Sequence, residues 1–279
     1  MRGWTQKGGR RGQLRRMARG AGLLVALALS ALLFWRGPPP VQASRPASPV
    51  SVQPSGTPAL VPALIAGRLS GEVERGPRGH SQIALTFDAG AEADCFNDLL
   101  AALETAHIHS TFFITGKWAQ QNRDCAAEIA KHGHEVGNHT WSHLDLTTQP
   151  DDVVREEIAR AETSLMELTG QSSRPRWRAP YGARDQRVLR IAASLGYKSI
   201  YWTIDSLDSV EPPKSPQFLI DRVTSRTDAQ LDGAIILLHV GIRSTAEALP
   251  AIIANLQGRG FHLVTISDLL RPAPRRGAE

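Results

Sequence analysis

Five polar motifs in this chain each stand at the end of a short apolar run, and that placement limits the fold more than any other feature. The clearest runs are Ile83-Ala84-Leu85-Thr86-Phe87-Asp88 and Ile235-Ile236-Leu237-Leu238-His239. A run with little polar alternation suits a strand buried on both faces, the condition of a parallel sheet covered by helices. Between them lie Asn138-His139-Thr140-Trp141-Ser142-His143, Arg178-Ala179-Pro180-Tyr181-Gly182 and Trp202-Thr203-Ile204-Asp205-Ser206-Leu207-Asp208. An acid, two histidines four apart, an arginine, a second acid and a late histidine thus fall at successive strand ends. That order is expected of a metal-dependent hydrolase on a parallel α/β scaffold, where reactive groups gather at the C-terminal ends of strands.

Hydrophobic periodicity extends the plan. Strands are predicted at 83–87, 111–114, 134–137, 176–178, 199–204, 234–238 and 262–266, and helices at 94–106, 119–131, 153–168, 188–195 and 246–257. Gly133 and Gly170 stand where two of the helices should stop. About seven βα units in a single large domain point to a closed or nearly closed barrel of parallel strands. The two histidines, four apart, can sit one above the other on a single helical turn and grip one divalent ion.

The formal charge of +5 misleads if taken whole. Residues 1–43 carry eight basic and no acidic residues, which leaves 24 basic against 27 acidic, a net of −3, for residues 44–279. The body therefore offers no electrostatic case for nucleic acid. A cationic start, an uncharged stretch over residues 21–35 and Val41-Gln42-Ala43 before Ser44 read as a signal peptide or an uncleaved anchor over 1–43. Export is expected, with the product secreted or membrane-anchored and facing the cell envelope. Eight of the 18 prolines fall within residues 37–65, so 44–79 reads as an extended Pro/Ser-rich linker. The catalytic body is expected over 80–270, with a disordered tail at 271–279. Cys95 and Cys125 are the only cysteines, and an even count in an oxidising compartment invites a disulfide that spacing alone cannot place.

In order and residue type the five motifs resemble the NodB-like polysaccharide deacetylases, carbohydrate esterase family four, over residues 80–270. The resemblance implies a distorted (β/α) barrel, a single divalent metal, and hydrolysis of N-acetyl groups on a sugar polymer. It maps onto Thr86-Phe87-Asp88, His139 with His143, Arg178 through Gly182, Asp205 through Asp208, and Leu238-His239.

The chemistry can also be argued from the residues. An acetamide is a poor electrophile and an amine a poor leaving group, so hydrolysis needs an activated water, oxyanion stabilisation and a proton for nitrogen. His139 and His143 are the candidate metal ligands, for Zn²⁺ first, with Co²⁺, Ni²⁺ or Mn²⁺ able to serve. Asp88 is the candidate general base, and Arg178 its partner, keeping it ionised. His239 is the candidate acid, held in its charged form by Asp208 or Asp205, with Asp208 preferred. The resemblance adds the backbone N–H of Tyr181 as an oxyanion donor, with Pro180 and Leu238 among the substrate-facing residues. Plainer uses exist: Asp88 as a helix cap, Arg178 as a structural ion-pair residue, Tyr181-Gly182 as a turn after proline.

Two positions depart from the family pattern. A second aspartate usually follows the one matching Asp88; here Ala89 cannot ligate. Glu92 and Asp94 are the candidates for the missing oxygen, Asp94 the better placed; otherwise the metal keeps two histidines and waters, or the site is metal-poor. Ser209 stands where the family often has tryptophan. The expected substrate is an extracytoplasmic amino-sugar polysaccharide, peptidoglycan or chitin-like, met by a monomer that touches membrane only through its N-terminal segment. The alternatives are a non-catalytic glycan-binding wall protein, an O-acetyl esterase and a cyclic amidase.

Overall fold

The computed structural model describes residues 71–272. Residues 1–70 and 273–279 lie outside the described residues, and with them the expectations of export, cleavage and a disordered tail. Among the described residues the strands are β1 (Gln82–Ala89), β2 (Thr111–Ile114), β3 (Glu135–Asn138), β4 (Arg176–Trp177), β5 (Lys198–Ser199), β6 (Ile204–Asp205), β7 (Ile235–His239) and β8 (His262–Leu263). The helices are α1 (Phe96–Thr105), α2 (Gly116–Gln121), α3 (Arg123–Lys131), α4 (Asp151–Thr169), α5 (Gln186–Ser194), α6 (Pro216–Thr224), α7 (Asp228–Leu231), α8 (Arg243–Gly258) and α9 (Ile266–Leu269).

The strands form one curled sheet in the order β5-β4-β3-β2-β1-β7-β6, with β8 joined to the first residues of β1. Every strand pairing is parallel. The result is a half-barrel, as the apolar runs predict. β1 is its centre, buried along seven of its eight residues. Alternation along β1 sorts its side chains. Ile83, Leu85, Phe87 and Ala89 join Leu99 and Leu103 of α1 and Leu249 and Ile252 of α8 in the helix-facing core. Ala84 instead meets Phe113 and Ile235 in an inner cluster. Thr86 and Asp88 share the parity of Ala84, which turns the acid into the mouth of the half-barrel. Each large aliphatic or aromatic side chain buried this way contributes about 1.5–3 kcal/mol, so the helix-facing core holds the strand ends in place.

Three expectations are corrected. The predicted strand 199–204 is two strands, β5 and β6, at opposite edges of the sheet. Between those edges runs a segment that composition assigns to the linker: Val73 bridges Ile200, Arg75 bridges Ala234, and Gly76 N–H donates to the Gly233 carbonyl. Residues 72–76 therefore belong to the packed body. The predicted helix 119–131 breaks at Asn122, whose backbone and side-chain N–H groups both donate to the Trp118 carbonyl and end α2. The missed α6 was legible in Ser215-Pro216, where the serine hydroxyl accepts from Phe218 N–H and proline takes the first helical position.

Candidate active site

His139 and His143 follow the end of β3, but not on a helical turn. The segment from 139 to 145 is irregular, with Thr140 and His143 at φ of 68° and 63°. The rings nevertheless meet: their Nε2 atoms lie 3.2 Å apart. His139 Nδ1 is 2.9 Å from the Arg178 carbonyl oxygen and donates to it, which leaves the Nε2 lone pair free. Two nitrogens each about 2.0–2.1 Å from a tetrahedral ion stand roughly 3.3 Å from one another. The observed spacing fits the bite of one divalent ion. Burial pushes both imidazoles down, His143 to about 4 with His139 adding to the effect, so both are neutral and ligand-ready near pH 7.

Asp88 and His239 are direct neighbours in the β1–β7 register. Arg178, just past β4, reaches across and donates from one NH to Asp88 Oδ1 at 2.6 Å and to Thr86 Oγ at 3.0 Å. Its other N–H groups bond the Ile200 and Tyr201 carbonyls, and its plane covers the Phe113 ring at 4.0 Å. The buried guanidinium is thus satisfied and aimed. Burial alone would raise Asp88, but Arg178 and the neighbouring histidines outweigh it and hold the carboxyl below its usual range. Asp88 Oδ2 stands 3.6 Å from His139 Nε2, and it is the only carboxylate within 4 Å of the histidine pair among the described residues.

His239 is governed by Asp208. Its Nδ1 lies 2.7 Å from Asp208 Oδ1, its backbone N–H donates to Oδ2 at 2.8 Å, and Thr245 Oγ donates to that same oxygen at 2.7 Å. Burial works against a charged His239, yet the bond and charge of Asp208 prevail and hold the imidazole above its ordinary value. Nε2 is left facing the mouth, with Ser209 Oγ at 3.5 Å. Asp205 is engaged in its own turn, accepting from Leu207 N–H.

Pro180, Tyr181 and Gly182 form a single 3₁₀ turn with Tyr181 in the left-handed region at φ of 58°. The internal bonds of the turn start at Gly182 and Ala183, which leaves the Tyr181 amide unused by it. The Tyr181 side chain is 71% exposed and meets the His143 ring edge-on at 4.5 Å, forming one wall of the mouth. Pro180 is buried beneath it.

Leu238 must be reassigned. It is fully buried in the helix-facing core, on the strand face opposite His239, and no substrate can reach it. The Asp94 expectation fails as well: Asp94 lines a separate cavity with Cys95, Cys125 and Arg243. Both cysteines are free thiols there, so the invited disulfide is not formed. Among the described residues no group of three or more His, Cys, Asp or Glu side chains forms a ready metal cage. Sequence reasoning gave Thr86 no role, although it opens the first matched motif, and missed Thr245, because a buried threonine within an apolar run or helix reads as filler.

The family model for polysaccharide deacetylase matches residues 75–200. The peptidoglycan-N-acetylmuramic acid deacetylase PdaA of Bacillus subtilis is 30% identical over 189 residues, 67% of this chain and 71% of that protein. The solved structure of PdaA, a family 4 carbohydrate esterase, superposes with a TM-score of 0.67 at 28% identity, covering 73% of this chain and 86% of that one. The chitooligosaccharide deacetylase of Bradyrhizobium is 31% identical over 225 residues, 75% of this chain and 98% of the relative. BA3943 of Bacillus anthracis, a CE4 family pseudoenzyme, superposes with a TM-score of 0.68 at 28% identity over 72% of this chain and 69% of its own. A mutant of BA3943 has restored enzymatic activity.

Proposed function

This chain belongs to the polysaccharide deacetylase family, carbohydrate esterase family four, and from that premise we propose that it is a hydrolase removing N-acetyl groups from an extracytoplasmic amino-sugar polysaccharide. The observation that carries the reading is the opposed pair on adjacent strands: a carboxylate held ionised beside an imidazole held protonated. One acetamide needs both, a base for the attacking water and an acid for the departing nitrogen. Asp88 Oδ2 takes the proton of the water, while Arg178 keeps Oδ1 occupied and the carboxylate oriented. His239 Nε2, its other nitrogen tied to Asp208, delivers a proton to the amine. The Tyr181 amide faces the developing oxyanion. A divalent ion held by His139 and His143 would polarise the carbonyl and lower the pKa of a bound water. Zinc suits the two imidazoles.

Peptidoglycan is the first substrate choice, because PdaA carries that activity by name; chitin oligomers follow from the Bradyrhizobium relative. The N-terminal segment supports action outside the cytoplasm. A second reading, a glycan-binding protein without turnover, draws on Ala89 and on the likeness to BA3943. Acetate release from residues 44–279 on peptidoglycan and chitin oligomers separates the two. Release stopped by EDTA and restored by Zn²⁺ or Co²⁺ is expected, with His139→Ala and His143→Ala losing metal and activity together and Asp88→Asn losing activity alone. A metal-free protein that binds these glycans and releases no acetate would establish the second reading.

A further inference from the structure

The loop that carries the histidine pair is strained at two residues that are not glycine. Thr140 and His143 both have positive φ, and a β-branched threonine there is a true outlier. Such conformations persist only where the surroundings over-determine them. The restraints come from two consecutive residues of α4. Asn138 Nδ2 donates to the Ile158 carbonyl at 2.9 Å while its Oδ1 accepts Thr140 N–H at 2.9 Å, anchoring the start of the loop. At the far end Glu157 accepts the Ser142 backbone N–H on Oε2 at 2.8 Å and the Ser142 hydroxyl on Oε1 at 2.7 Å.

Glu157 lies outside every motif, and only 8% of it is exposed. A carboxylate is costly to bury unless its oxygens are matched by donors. Here both oxygens serve one residue, the one that precedes His143. Charge-assisted bonds of this kind are about twice as strong as neutral ones. α4 is a rigid platform for them, the longest helix among the described residues at 19 residues. The far end of the loop therefore cannot shift without breaking two bonds to a buried carboxylate, and the His139–His143 spacing depends on that end.

We propose that Glu157 is a positioning residue for the metal site: through Ser142 it sets His143 against His139 at the spacing a divalent ion requires. The proposal rests on the metal reading above. It assigns Glu157 no contact with substrate. It also separates the two restraints, since Asn138 belongs to a recognised motif and Glu157 does not.

The test is zinc affinity of the apo protein, by competition with a chromophoric chelator, with thermal melting in parallel. Glu157→Ala should weaken zinc by about 10–100-fold, the usual cost of losing an outer partner of a metal ligand. Glu157→Gln should stay near wild type, because its oxygen accepts the backbone N–H and its amide donates to the Ser142 hydroxyl. Ser142→Ala, which keeps only the backbone bond, should fall between them. Ile253→Ala, a cavity in the core of α8, should lower the melting temperature and leave zinc affinity unchanged. Wild-type affinity in folded Glu157→Ala would overturn the proposal. If that variant does not fold, Ser142→Ala decides, and unchanged affinity there overturns it equally. A wild-type protein that binds no zinc would remove the metal reading itself, and the proposal with it.

Discussion

At the scale of single residues, the candidate site treats two groups only a strand apart unequally. Asp88 is buried and His239 partly buried, and desolvation alone would shift both towards their neutral forms. Each is kept charged chiefly by one partner, Arg178 for the acid and Asp208 for the imidazole. The sign for His239 follows from this. Its proton is held more tightly than in a free imidazole, so the acid form persists to higher pH than it otherwise would and is lost as pH rises further. Asp208→Asn removes the charge that holds that proton. Its alkaline limb of kcat/KM should move to lower pH, with kcat/KM down on the order of 10²-fold or more. A pH–rate profile checks this; an unmoved limb would separate Asp208 from the acid role.

At the scale of elements, the half-barrel is closed by a segment with no strand-like pattern. Residues 72–76 lie between β5 and the β6–β7 edge, joined by Val73 N–H to the Ser199 carbonyl, Tyr201 N–H to the Val73 carbonyl and Gly76 N–H to the Gly233 carbonyl. Glu72 also takes Arg184 on both oxygens at 2.6 Å. Arg184 stacks on Tyr201 at 3.6 Å and donates to the Gly182 carbonyl, so the strap reaches the turn that presents Tyr181. Gly182 is required in that turn: at φ of 65°, an added Cβ would lie 2.7 Å from Trp202 and 2.8 Å from Tyr201. Three backbone bonds at about 0.5–1.5 kcal/mol each, plus a partly buried bidentate pair, sum to roughly 3 kcal/mol. A chain starting at Pro77 should be less stable than one starting at Gly71 by that amount in urea unfolding. Equal midpoints would show that the strap contributes nothing.

At the scale of the whole molecule, pH acts on stability not only through the paired site histidines but also through one at the opposite end of β3. His134 is 1% exposed, accepts Ser110 N–H on Nδ1, and has no partner at Nε2 among the described residues. Burial first, then the charges of His109 and His132, push it down to about 4. The folded state therefore prefers neutral His134, while the unfolded chain takes up a proton near 6.5. Its contribution is fully present above about pH 6.5 and is lost as pH falls towards 4, about 3 kcal/mol in all. The urea midpoint should drop between pH 7 and pH 4.5, and His134→Asn, which retains an acceptor for Ser110, should flatten that drop. An identical slope in the variant would place the acid sensitivity elsewhere.

The parallel sheet was legible because strands buried on both faces need continuous apolar runs, and so were Asp88, His139, His143, Arg178, Asp208 and His239, which close those runs. Sequence also marked the helix stops at Gly133 and Gly170, both with positive φ, since local sterics alone demand glycine there. What it could not reach depends on contacts between distant segments. The face to which Leu238 points, the turning of Asp94 into another cavity, the division of 199–204 into two edges and the recruitment of residues 72–76 carry no local signature. The same is true of Glu157, whose partner lies 15 residues away and is met only because α4 packs beneath the loop. Residue type and spacing determine which groups can react; burial and hydrogen bonding, set by the packed sheet and helices, decide which of them are charged and where they point.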